Sequence, residues 1–303
     1  MRYTRKIELP REEKLKGMAV LLAVPGFGRA TVRELIKVWE RKGFTVAEAW
    51  SQQTRWKYRG FELSEQQRVA LNEFRQTWTV EGYWQHLHQG GVEVLPHWQF
   101  PELLQQITDP PLLLFLKGNI GCLRPTHIAV VGSRTPTRYG QWATQRIVSQ
   151  LLEKDVSIVS GFMVGIDYQS HQVAVQVGGR SVGVLGFGWG KMYPRHLSRA
   201  AEEFLAAGNL FVTEYPPGFP PSPGQFPARN RIVAGLAAAT LVVEAREKSG
   251  SLITAQCALE AGRVVGAVPG PIDSVYSQGT HFLLRQGALL VESGRDVLEE
   301  LKL

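Results

Sequence analysis

The residues whose types and spacing could do chemistry fall in three short segments. They are Gly132-Ser133-Arg134, Ser160-Gly161-Phe162-Met163-Val164-Gly165-Ile166-Asp167 and Phe226-Pro227-Ala228-Arg229-Asn230-Arg231, with Lys248-Ser249-Gly250-Ser251 following shortly after. Glycine lets a ligand approach the backbone, serine offers a hydroxyl, and arginine presents a planar fork that matches a phosphate. Arg138 adds another cation close behind Arg134. Each segment ends a short β-branched stretch and opens a helix-like pattern. In a parallel α/β sheet such turns gather at the carboxyl ends of the strands, where ligands bind. The expectation is one anion-binding crevice, and a row of phosphate-sized turns predicts a nucleic-acid backbone as its anion.

The elements that must position these turns are legible from periodicity. Strands are predicted at 92–95, 112–116, 127–131, 156–159, 181–185, 209–213, 239–243 and 264–268, with residues 288–291 as an edge strand. Helices are predicted at 101–107, 138–153, 166–177, 197–206, 228–237, 251–261 and 278–286, with a closing helix at 296–301. The regular alternation means an α/β fold with a mostly parallel sheet covered on both faces. Runs such as Ile128-Ala129-Val130-Val131 and Leu241-Val242-Val243 are what strands buried on both sides look like. The proline-rich stretch 215–227 is expected as a rigid extended loop that fixes Arg229 and Arg231.

Residues 1–90 read differently, as a small helical domain ending at Gly90-Gly91, with the sheet domain over 91–303. Leu15, Met18, Ala19, Leu21 and Leu22 recur at helical spacing. Val24-Pro25-Gly26-Phe27-Gly28 interrupts, and Val32, Leu35, Ile36 and Trp39 resume the pattern. That is a helix-hairpin-helix, in which Gly26, Gly28 and Arg29 could meet a phosphate; an αα-hairpin that only packs explains the same residues equally well. Thr54-Arg55-Trp56-Lys57-Tyr58-Arg59 has the composition of a base-stacking strip, although a surface turn with docked aromatics is the more frequent use of such a run. Residues 1–60 hold 14 Lys/Arg against 6 Asp/Glu, and the other 243 residues hold 20 against 21. The net charge of +7 therefore comes from the N-terminal part, and the crevice must rely on locally placed cations.

Several classes are excluded. The first βα turn lacks the G-x-G-x-x-G fingerprint, and Gly186-Phe187-Gly188-Trp189-Gly190-Lys191 carries its third glycine one residue early, so a nicotinamide or flavin cofactor is not expected. No apolar stretch approaches a membrane span, and the charged N-terminus does not resemble an export signal, which points to the cytoplasm. The two cysteines, Cys122 and Cys257, read as buried thiols rather than a disulfide or a metal framework, and no metal is expected. Asp167 is expected to cap the helix that follows it, and His171, four residues on, to pair with it structurally. No catalytic constellation emerges.

The ordered motifs resemble those of the DNA-processing protein A family (DprA, also called Smf). The resemblance runs from Asp109-Pro110-Pro111 to about Val291. It passes through Gly132-Ser133-Arg134, Tyr139-Gly140, Ser160-Gly161, Gly165-Ile166-Asp167, His171, Tyr193-Pro194, Glu214-Tyr215-Pro216, Phe226-Pro227-Ala228-Arg229-Asn230-Arg231, Glu244-Ala245, Ser249-Gly250-Ser251, Thr254-Ala255, Gly262-Arg263 and Val268-Pro269-Gly270. It implies an extended Rossmann-like domain that binds single-stranded DNA without sequence preference, forms a homodimer and helps load a RecA-type recombinase in natural transformation. The implied DNA pocket uses Gly132, Ser133, Arg134, Ser160, Gly161, Gly165, Arg229, Asn230 and Arg231, with Lys248, Ser249, Gly250 and Ser251 from the neighbouring turn. Many family members continue into a winged-helix-like domain, which is not expected here because the sequence stops at Leu303. The related Rossmann-like group also contains phosphoribohydrolases, so a nucleotide-processing enzyme is the alternative. Their motif places a carboxylate where this chain has Cys257, which cannot stabilise an oxocarbenium ion as a carboxylate does.

Overall fold

The computed structural model describes residues 9–52, 57–58 (backbone only) and 61–303. Of the segment 54–59, everything but the backbone of Lys57 and Tyr58 lies outside them. The N-terminal part packs α1 (Arg11–Ala23), α2 (Arg29–Lys42), α3 (Val46–Ser51), α4 (Glu65–Thr77) and α5 (Val80–Gln89) around one core. Val32, Leu35, Ile36 and Trp39 form the buried stripe of α2. This part is not purely helical: β1 (Lys57–Tyr58) and β2 (Phe61–Glu62) pair antiparallel between α3 and α4. Its core also takes in Leu112, Leu113 and Phe115, so the helices pack directly on the margin of the sheet that follows.

That sheet has nine strands: β3 (Glu93–Pro96), β4 (Leu113–Gly118), β5 (Thr126–Val131), β6 (Val156–Ser160), β7 (Arg180–Leu185), β8 (Leu210–Thr213), β9 (Ala239–Val242), β10 (Val264–Ala267) and β11 (Leu289–Leu290). Their order is β11-β10-β9-β5-β6-β7-β8-β4-β3, parallel throughout except where β4 pairs with β8 and β3. Helices α6 (Glu102–Gln105), α7 (Arg138–Leu151), α8 (Ile166–Gln176), α9 (Ser198–Ala206), α10 (Gln225–Leu236), α11 (Gly250–Glu260), α12 (Gln278–Arg285) and α13 (Gly294–Glu300) connect and cover them. Alternation within β5 serves both faces: Ile128 and Val130 enter the core under α7, α8 and α13, while Ala129 and Val131 enter the one under α10 and α11.

Every predicted strand and helix is present within a few residues. After β5 the chain builds outward through β6, β7 and β8, then returns to place β9 and β10 on the other side of β5. Strand order therefore reverses at β5, and a crevice opens there beyond the strand ends. One boundary matters for function: α10 starts at Gln225, not at 228, with Pro227 in its first turn. Proline is tolerated there because its missing N–H would be unpaired anyway. Among the described residues no helix is long and apolar enough to cross a membrane.

Candidate nucleic-acid interface

At the reversal point, the turns after β5, β6 and β9 and the first turns of α10 and α11 line a crevice of about 370 Å³. Its lining holds Arg134, Arg229, Arg246 and Lys248 against a single carboxylate, Asp167. Gly132, Ser133, Arg134, Gly161, Arg229, Asn230, Lys248, Ser249, Gly250 and Ser251, all predicted, meet here. Arg134, Arg246 and Lys248 are exposed, whereas Arg229 is only 4% exposed.

Close backbone packing shapes the floor. A Cβ on Gly132 would meet Ile166 and the carbonyl of Glu244, and one on Gly161 would meet both the Arg229 guanidinium and the Asp167 carboxylate. Gly165 has φ +91°, a left-handed conformation that favours glycine, and its missing Cβ makes room for Ser133 and Arg134. Arg229 donates to the carbonyls of Gly161 (2.6 Å) and Val184, which fixes a buried cation beneath the crevice. Burial lowers its pKa to about 10, opposed by the charge of Asp167. Burial likewise raises Asp167 to about 6, opposed by the charges of Arg229 and then Arg134.

The N-terminus of α11 borders the crevice. Ser249 is the N-cap, bonded to Ser251 Oγ at 2.7 Å, and Asn230 Nδ2 donates to the Gly250 carbonyl at 3.2 Å. At the rim Arg246 lies over the Tyr276 ring (4.7 Å to its centroid) and donates to its hydroxyl at 2.9 Å. An N-terminus, four cations and serine hydroxyls around one opening can hold phosphate groups at several points.

Other predicted positions lie elsewhere, and each departure has a physical reason. Arg231 follows Arg229 by two residues within α10, so it points to nearly the opposite side of the helix. There it forms a two-pronged pair with Glu214 (2.8 and 2.7 Å) and reaches Asp109 at 3.4 Å. Ser160 Oγ is buried and donates to the Val130 carbonyl, tying β6 to β5. Arg138 opens α7 outside the crevice, and the N-terminus of that helix is already occupied by a carboxylate. Thr137 N–H and Oγ1 donate to Glu244 at 2.9 and 2.5 Å, and Gly140 is the residue that leaves space for it.

Gly165 lines a neighbouring groove rather than the crevice itself. In the hairpin Gly26 has φ +79°, but Gly28 does not take positive φ, and Arg29 pairs with Asp109 (2.7 Å) and Glu214 (3.5 Å). The hairpin's cation thus ties α2 to the segments just before β4 and just after β8.

Asp167 stands in the first turn of α8 but makes no side-chain cap, because Gly165 occupies the N-cap position. His171 does not pair with it either; its Nδ1 lies 2.7 Å from Ser181 Oγ among Phe162 and Phe204, and burial depresses it to about 3. Phe162 is absorbed into that aromatic cluster with Phe211. Cys122 is buried, Cys257 only half-buried, and both are free thiols.

A sequence model of the DNA recombination-mediator protein A family matches residues 92–302. The chain belongs to that family. As a family member it is 44% identical over 203 residues to the Smf protein of Escherichia coli K12, a match covering 67% of this chain and 54% of that relative. It is 43% identical over 201 residues to DNA processing protein DprA of Streptococcus pneumoniae R6, covering 66% and 71%. The chain thus spans about half the length of the E. coli relative. The X-ray structure of the S. pneumoniae DNA processing protein A superposes with a TM-score of 0.71 at 33% identity over 95% of both chains, which confirms the α/β fold. DNA processing protein A of Helicobacter pylori, studied structurally for its single-stranded DNA binding mode, superposes with a TM-score of 0.63 at 27% identity over 69% of this chain and 95% of that one.

Sequence reasoning missed Arg246 and Tyr276. Arg246 had a signal, since it stands two residues before Lys248 in the same strand-end turn. Tyr276 had none, because its partners lie 30 and 141 residues away in the chain.

Proposed function

We propose that the crevice binds single-stranded DNA through its sugar–phosphate backbone, without sequence preference and without chemistry. The observation that carries this reading is the convergence of four cations and the α11 N-terminus on one opening at the strand-order reversal. Its lining contains no histidine, cysteine or second carboxylate that could complete an acid–base or nucleophilic pair with Asp167. Phosphate contacts position a strand but carry no base information. The H. pylori relative's single-stranded DNA binding mode supports the same assignment.

Within recombination, such a protein protects incoming DNA in natural transformation and passes it, as a cytoplasmic homodimer, to a RecA-type recombinase. Exposed Leu259, Ile272, Val275 and Phe282 in the C-terminal third supply apolar surface for a second copy. An oligonucleotide gel shift comparing single strand with duplex at two salt concentrations tests the binding. Equal retention of both forms, or indifference to salt, overturns it. Sedimentation equilibrium tests the dimer, which a monomer at micromolar concentration would exclude.

A further inference from the structure

The crevice does not end at Arg134. On its far side Arg134 also lines a second, open groove of about 460 Å³ between α7 and α8. Sequence spacing builds the walls: Gln141 and Gln145 lie one turn apart on α7, and Gln169, Gln172 and Gln176 share one face of α8. All five line the groove, which has Arg134 as its one charged side chain and no carboxylate. Gln169 Nε2 donates to the Gln141 carbonyl at 2.7 Å and bridges the two helices. The side-chain amides of Gln141, Gln145 and Gln176 make no hydrogen bond among the described residues, and all three side chains are exposed.

A glutamine amide offers two donors and one acceptor without charge. A row of them attracts phosphate weakly but can bond the edge of any nucleobase, and it pairs especially well with adenine. Tyr168, half-buried in the same wall, adds an aromatic ring on which a base can stack. Because Arg134 belongs to both cavities, a backbone held there leaves the crevice at the mouth of the groove. We infer that the α7–α8 groove is a nucleobase subsite, which takes the bases of nucleotides flanking those whose phosphates occupy the crevice. The inference rests on the single-stranded DNA reading above and adds to it a base-contacting surface.

Fluorescence anisotropy with labelled oligonucleotides separates the two. The probes are a short oligothymidylate that fills only the crevice, a longer one, and two longer ones whose added residues are abasic at one end or the other. Lengthening with bases should tighten binding by wild-type protein, and abasic lengthening at the end that enters the groove should not. In Gln145→Ala/Gln172→Ala the gain from length should fall at least about fivefold, the low end for two lost neutral hydrogen bonds, while the short probe binds as before. Gln145→Glu should weaken the longer probe further by repelling the strand.

If both abasic probes bind as tightly as the intact one, or the double variant keeps the full gain, the groove is not a base subsite. If the short probe fails to bind wild-type protein, the crevice reading fails and the inference falls with it.

Discussion

Replacing Arg231 with alanine should cost stability rather than DNA affinity. Its guanidinium donates to both oxygens of Glu214 (2.8 and 2.7 Å) and to the Asp109 carbonyl (2.9 Å), and the two side chains are 14% and 7% exposed. Removing it leaves the Glu214 carboxylate with Arg29 at 3.5 Å as its remaining charged partner. Breaking a buried pair from one side costs about 3–5 kcal/mol, and the surviving Arg29 contact argues for the lower end, about 3 kcal/mol. In a chain of this size that is a fall in Tm of about 5 °C. Replacing both partners, Arg231→Met with Glu214→Leu, should recover much of the loss, since an apolar pair leaves no charge stranded. Differential scanning calorimetry reads the Tm, and anisotropy well below it reads binding of a single strand, expected within about twofold of wild type. An Arg231→Ala protein with wild-type Tm and a tenfold or greater loss of affinity would refute the reasoning, because Arg231 would then contact DNA.

Other expectations follow from the crevice floor. Asp167 titrates at about 6 under burial opposed by Arg229, and its charged form repels a phosphate. Protonation as pH falls through about 6 removes that repulsion, so affinity for a single strand should rise severalfold between about pH 7 and 5. In Asp167→Asn the affinity should be high at both ends and nearly flat; an unchanged pH profile in this variant would assign the effect elsewhere. Gly161→Ala should displace both Arg229 and Asp167, whose polar atoms border the space its methyl group needs. It should reduce both Tm and affinity, and a variant with wild-type values for both would contradict the close packing of the floor.

The sheet was legible in the sequence because its strands are buried on both faces and its helices keep a regular period. Gly132-Ser133-Arg134 and Lys248-Ser249-Gly250-Ser251 were legible as site residues because glycine, hydroxyl and cation at a strand end is a local signal. Arg231 misled for a local reason as well. Both arginines fall inside the predicted helix 228–237, and a step of two residues is about 200° around an α-helix, so Arg229 and Arg231 face different sides whichever residue starts it. The fates of Arg138 and Ser160 depended on distant partners. Glu244 fills the α7 N-terminus from 107 residues away, and Ser160 spends its hydroxyl on a neighbouring strand. Asp167 and His171 stand at helical spacing yet bond in different directions, because Gly161, in the turn after β6, and Ser181, on β7, are brought near them only by the folded sheet. Contacts of that kind have no signature in a single sequence.

The central claim is most directly tested by the salt dependence of single-strand binding in wild type, Arg134→Ala and Lys248→Ala, with duplex of the same sequence as comparison. Tight, salt-sensitive binding that favours the single strand is expected. Each substitution should weaken all sequences alike, by about 1–3 kcal/mol, and reduce the slope of log K against log salt by about 0.7–1. Slopes that stay at the wild-type value in both variants, or duplex bound as tightly as single strand, would contradict a crevice that holds a flexible strand by its phosphates.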